Sequence, residues 1–181
     1  MNLAIILEDN ADTAARMRDI INRDAAAASL VQAEIVPYLQ AGVKKLERVI
    51  ANEACNLVLA KGCKTAFLVD LAAEGDDVAF GLEVIRQIAN VLKPQASISD
   101  FLQDRNFFTI VVTVFGLNPQ DVTTAWGAWA ASISIGRIAE TKNIREAIQT
   151  KAVGGLYIPV VYKPDKERLI PPLVNGWSAS P

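Results

Sequence analysis

Apolar residues occur along the chain in two alternating kinds of run. Five are short, uninterrupted and without helical period, and each reads as a buried strand: residues 3–8, 30–36, 65–71, 107–114 and 156–162. Longer stretches between them carry apolar residues at helical spacing. Ala14, Met17, Ile20 and Ile21 mark a helix over 11–23, with Asn10 placed to cap it. Pro37 suits a helix start, and Leu39, Val43, Leu46, Val49 and Ile50 carry that helix to about Ala60. Leu82, Ile85 and Ile88 form the stripe of a helix over 81–91, and a short helix around 99–103 interrupts the connection that follows. Asn118-Pro119 opens a helix bearing Val122, Ala125, Trp126, Trp129 and Ile133, extending toward Ile138. Asn143 with Glu146 resembles a capping box and starts a helix through Ala152, which Gly154-Gly155 ends.

Beyond Pro164 the pattern thins. Asp165 to Ile170 is enough for one or two helical turns, Pro171-Pro172 stop any helix, and the rest reads as a loose tail. The expected organisation is one domain over 1–170 with a C-terminal tail over 171–181. Strands alternating with helices predict an α/β fold, a doubly wound five-stranded parallel sheet covered on both faces. In such sheets ligands sit at the carboxyl ends of the strands.

The bulk numbers narrow the function. With 181 residues, 51% hydrophobic and 21% charged, the chain can bury a sizeable core and is not disordered. A net charge of -2 gives no general drive toward nucleic acid or an anionic membrane. The absence of histidine removes every Ser-His and Cys-His catalytic pair and leaves zinc without its usual ligands. Cys55 and Cys63 then read as reduced thiols of a cytoplasmic protein. No basic-then-apolar leader opens the chain, and the apolar stretch over 107–136 is broken by Gly116, Asn118 and Pro119, which argues against a membrane span.

The candidate chemistry lies where the strand runs stop. Glu8 and Asp9 end the first run, Asp70 ends the third, Thr113 the fourth, and Lys163 follows the fifth. Each alone has a plain reading: a solvated loop, a helix cap, a surface lysine. Together, at successive strand ends, they describe a site for a divalent cation and a phosphoryl group. Mg²⁺ takes oxygen ligands, and Glu8, Asp9 and Asp70 offer carboxylates. A carboxylate can also act as a nucleophile and form an acyl phosphate. Lys163 would neutralise a phosphoryl oxygen and Thr113 would hydrogen-bond to another. Trp126 and Trp129, three apart on a helix, fit either sheet packing or a partner surface.

These residues resemble the receiver domain of two-component response regulators. Ile6-Leu7-Glu8-Asp9-Asn10 is similar to the family's acidic pair, and Phe67-Leu68-Val69-Asp70-Leu71 to its phosphoacceptor strand. Gly81 to Arg86 resembles the start of its third helix, and Val111-Val112-Thr113 and Tyr162-Lys163-Pro164 its last two motifs. The resemblance implies a flavodoxin-like fold, here with insertions and a truncated last helix. It implies that Asp70 accepts a phosphoryl group from a phosphohistidine of a sensor histidine kinase or phosphotransfer protein. It implies Mg²⁺ held by Glu8, Asp9, Asp70 and the backbone carbonyl of Ala72, with Thr113 and Lys163 binding the phosphoryl group.

The chain departs from the family pattern after Asp70, where no Met-Pro turn follows, at Val114 in place of a small residue, and at Val160 in place of a switch aromatic. The segment between Thr113 and Lys163 is also enlarged. The expected function is a stand-alone response regulator, not an enzyme, that signals by binding a downstream protein and involves neither nucleic acid nor membrane. A homodimer built on the enlarged segment stays open. Two other readings compete: a non-phosphorylated receiver-like scaffold or dimerisation module, and a phosphatase of the haloacid dehalogenase type. The second expects an Asp-x-Asp pattern on the first strand, which the spacing of Asp9 and Asp12 does not give.

Overall fold

The short apolar runs form one parallel sheet in a computed structural model that describes residues 1–24, 30–38, 46–71, 79–113 and 134–180. The strands are β1 (Asn2–Glu8), β2 (Val31–Pro37), β3 (Thr65–Val69), β4 (Phe107–Thr113), β5 (Ser134–Arg137) and β6 (Tyr157–Tyr162). Their order is β2-β1-β3-β4-β6-β5, and every neighbouring pair is parallel. The five anticipated strands make the consecutive run β2-β1-β3-β4-β6 of a flavodoxin-like doubly wound sheet. The short β5 adds a sixth strand at the edge.

Side-chain alternation along each strand feeds two separate cores. Leu3, Ile5 and Leu7 of β1 point to one face, with Phe67 and Val69 of β3. There they meet α2 (Leu46–Lys61), α3 (Ala79–Leu92) and the short α4 (Ile98–Gln103) through residues such as Ile50, Ala54, Ile85 and Phe101. Ala4 and Ile6 point to the other face, with Phe108, Ile110 and Val112 of β4. That layer holds α1 (Ala11–Arg23), α5 (Thr141–Ala152) and α6 (Lys166–Ser178) through Met17, Ile21, Ala147 and Trp177. Asn10 caps α1 by accepting the Thr13 amide at 2.9 Å. Among the described residues no helix is long and apolar enough to cross a membrane.

Four sequence expectations need correction. The last helix is not truncated: α6 runs 13 residues with Pro171 and Pro172 inside it. Each proline removes one amide from the helical ladder, and the carbonyls so released belong to Glu167 and Arg168, both exposed, where water can take them. Leu169, Ile170, Leu173, Val174 and Trp177 recur at helical spacing and are all buried, which outweighs that cost. The stretch 171–180 is therefore part of the packed body and not a tail. Its end is tied to the amino ends of the strands by Asn2 Nδ2 donating to Ser178 Oγ at 2.6 Å and Lys64 Nζ to the Ser180 carbonyl at 2.7 Å.

Pro37 does not start a helix. It is the last residue of edge strand β2, paired in register with Glu8, a position where its missing amide breaks no ladder. Ser134 to Arg137 is a strand and not the end of a helix. The sequence alternates Ser132-Ile133-Ser134-Ile135, a period of two, and Gly136 lies under the Tyr157 hydroxyl, where a Cβ would stand 2.1 Å from that oxygen. Finally, α5 starts two residues before Asn143: the Glu140 amide donates to Asn143 Oδ1 at 3.2 Å, so Asn143 is the third helical residue and not the cap. Its far end is as expected, with Gly154 at φ +74°. Val114, Trp126, Trp129 and the helix expected to follow Asn118 lie outside the described residues.

Candidate functional site

Parallel registration brings the ends of β1, β3, β4 and β6 to one edge of the sheet. Leu7 is in register with Val69, so Glu8 and Asp70 leave adjacent strands side by side, and the Asp70 amide donates to the Leu7 carbonyl at 2.8 Å. Thr113 ends β4 opposite Tyr162, and Lys163 is the next residue on that neighbour. Lys163 also opens a short 3₁₀ turn, Lys163–Asp165, that leads into α6. A complete last helix thus anchors the segment from which Lys163 reaches inward.

The Lys163 ammonium bridges two carboxylates. Its Nζ donates to Glu8 Oε1 at 2.8 Å and to Asp70 Oδ2 at 2.7 Å. Glu8 and Asp70 are only 1% and 4% exposed. Asp9 is exposed and completes the group: one carboxylate oxygen each from Glu8, Asp9 and Asp70 lie within 4.8 Å of one another. Thr113, 2% exposed, ends the strand that stands between Asp70 and Lys163 in the sheet order.

The electrostatics follow from burial and crowding. Burial pushes the Glu8 carboxyl up to about 8; its hydrogen bond to Lys163 opposes this, and the nearby Asp70 charge reinforces it. Burial alone would pull Lys163 down, but its hydrogen bonds to Asp70 and Glu8 outweigh that and hold it above the usual lysine value. A lysine so placed stays charged.

The residues fit a hard cation. Glu8 Oε2 is a buried oxygen with no hydrogen-bond partner, a costly state that a divalent ion would relieve. The exposed Asp9 gives the cluster a solvent side. Glu8, Asp9 and Asp70 supply the oxygen-only donor set that Mg²⁺ favours. Ala72, expected to add its carbonyl, lies outside the described residues.

Two further residues shape the site; the sequence marked Gly81 only as the start of a helix, and Tyr38 not at all. Tyr38, directly after β2, donates its hydroxyl to the Asp70 backbone carbonyl at 2.6 Å. Burial, and then the charges of Asp70, Glu8 and Asp9, hold this hydroxyl well above the usual tyrosine value, so it remains a donor. Gly81 presses on the same peptide: a Cβ there would lie 2.5 Å from the Asp70 carbonyl oxygen. The rule that marked the other strand ends also covers Tyr38, a polar-tipped residue at the end of β2. A helix start placed at Pro37 hid it.

The chain matches no protein-family model, no curated protein and no solved structure. The functional reading rests on the geometry of these strand ends.

Proposed function

We propose that the chain is a receiver of the two-component type, in which Asp70 takes a phosphoryl group from a phosphohistidine on a sensor kinase or phosphotransfer protein. The observation that supports this best is the Lys163 bridge to Glu8 and Asp70, 2.8 and 2.7 Å long, beside a third carboxylate. An Asp70 carboxylate oxygen attacks phosphorus, the phosphorus–nitrogen bond breaks, and its electron pair returns to the imidazole. Lys163 shifts from the carboxylates toward the incoming phosphoryl oxygens and offsets their charge. Thr113, at the end of the intervening strand, would hydrogen-bond to another phosphoryl oxygen. Glu8, Asp9 and Asp70 would hold Mg²⁺, which when bound would supply positive charge to offset the phosphoryl group. The output is binding to another protein, and two free thiols, Cys55 and Cys63, suit the cytoplasm.

Incubation with acetyl phosphate and Mg²⁺, read by intact mass, tests the proposal. Wild type gains one phosphoryl group and Asp70→Asn gains none. Equal labelling of the two proteins would move the acceptor elsewhere.

One observation favours a second reading. Lys163 already satisfies an oxygen of Glu8 and of Asp70, so the triad can serve as a structural staple in a scaffold that is never phosphorylated. Absence of any labelling in wild type would select it. The phosphatase reading has less support, because Asp12 lies in the first turn of α1 and not in the carboxylate cluster.

A further inference from the structure

Asp70 is held by its backbone on both sides. Its amide makes the last rung to β1, at the Leu7 carbonyl. Its carbonyl lies past the last residue of β3. The Tyr38 hydroxyl donates to it at 2.6 Å, in a buried hydrogen bond. The same tyrosine donates its amide to the Glu8 carbonyl at 3.4 Å, so one residue ties the ends of β1 and β3 together.

The clamp has a second jaw. Gly81 stands so close to the Asp70 carbonyl that no side chain fits, and its amide donates to the Leu71 carbonyl at 2.9 Å. Phe80, one residue earlier, meets the Tyr38 ring edge-on with centroids 5.1 Å apart. A phenylalanine at position 38 would fill the same space. Burying the hydroxyl is favourable only because the Asp70 carbonyl accepts from it.

We infer that Tyr38 is a positioning residue for the phosphoacceptor: its hydroxyl fixes the Asp70–Leu71 peptide and so aims the Asp70 carboxylate at Lys163. The inference rests on the receiver reading above. It adds a residue on β2's end, outside the set of acids, hydroxyl and lysine. The clamped carbonyl carbon and the carboxylate-bearing Cβ share one α-carbon, and with the amide held on Leu7 the clamp fixes that α-carbon; a strand end that shifts without the clamp carries the carboxylate with it, away from Lys163. Displacements of this kind are costly to reactions that depend on alignment.

The test compares wild type, Tyr38→Phe and Phe80→Leu, each as the full chain. Acetyl phosphate is the donor: an Asp70 oxygen bonds to phosphorus, the bond from phosphorus to the acetyl oxygen breaks, and acetate leaves. Tyr38→Phe slows labelling about tenfold, the scale of one lost buried hydrogen bond, and moves the Leu71 amide nitrogen resonance, which senses the preceding carbonyl's hydrogen bond. Phe80→Leu loosens the same packing but keeps the hydroxyl. Its rate, corrected for the folded fraction, stays within about twofold of wild type. Wild-type rates in Tyr38→Phe, or an equal loss in Phe80→Leu, would overturn the assignment. An unmoved Leu71 resonance in Tyr38→Phe would overturn the clamp itself, with or without any phosphorylation. A wild type that takes no phosphoryl group instead refutes the receiver reading, and with it the aim at a phosphoacceptor, while Leu71 still reports on the clamp.

Discussion

Replacing Glu8 by glutamine isolates an ionisation that burial opposes. Burial raises this carboxyl from 4.5 to about 8, so between those values the folded chain keeps a proton that the unfolded chain releases. Wherever the folded state binds more protons, stability falls as pH rises. The contribution is complete below about pH 4.5 and is lost as pH climbs through about 8. At about 1.4 kcal/mol per tenfold, the window amounts to a few kcal/mol at most, because Lys163 is hydrogen-bonded to the same carboxyl and favours its charged form. Glutamine keeps an oxygen for the Lys163 ammonium and the Asn10 amide, which donates to Glu8 Oε1 at 3.2 Å, and cannot ionise. Urea unfolding midpoints across this range should decline for wild type and stay nearly flat for Glu8→Gln, so that the variant gains steadily on wild type as pH rises. Saturating Mg²⁺ should restore wild-type stability at high pH and leave the variant unchanged, since the ion needs the carboxylate. Parallel pH profiles for the two proteins would show that Lys163 keeps Glu8 ionised in the folded state and would refute the reasoning.

Asp9→Ala should weaken Mg²⁺ binding by about tenfold or more in calorimetric titration, as one of three carboxylates is lost; equal affinity would place the ion elsewhere. Trp177→Ala should cost about 3–5 kcal/mol in urea unfolding, because this ring is buried and stacked on Phe108 at 5.7 Å; a cost near zero would return 171–181 to a loose tail. Lys151 is buried with its ammonium on the Leu102 carbonyl, and burial pulls its pKa from 10.5 down to about 8. The folded state then binds fewer protons than the unfolded between those values, so this group makes stability rise with pH there. Lys151→Met should remove that rise and be more stable than wild type at neutral pH by about 1–2 kcal/mol, after the lost hydrogen bond is subtracted; a less stable variant would contradict it.

The sheet was legible because a buried parallel strand leaves a strong mark, a short apolar run such as Leu3 to Leu7 with a polar residue at its end. Two of the misread elements share one cause. At Pro37, Pro171 and Pro172 a local rule for proline was allowed to decide the element. In α6 the apolar stripe of Leu169, Ile170, Leu173, Val174 and Trp177 is the stronger signal, since five buried side chains outweigh two missing backbone hydrogen bonds. In β2 the same residue type is harmless because the strand lies at an edge. Only sheet order distinguishes an edge from a centre, and no single strand's sequence carries it.

The site was legible to the same depth and for a related reason. Glu8, Asp9, Asp70 and Lys163 could be assembled from type and position, because parallel strands in register must deliver their ends to one edge. What could not be read was who holds them. The partner of the Asp70 carbonyl depends on where β3 stops relative to β2, which is two strands away, with β1 between them. Tyr38 reaches across that distance only because its ring is long enough to carry a hydroxyl past the end of β1. A charged group in a site therefore announces itself in the sequence by its chemistry. A group that aims it belongs to the backbone's unmet hydrogen bonds, and these become visible only once the strand ends are placed side by side.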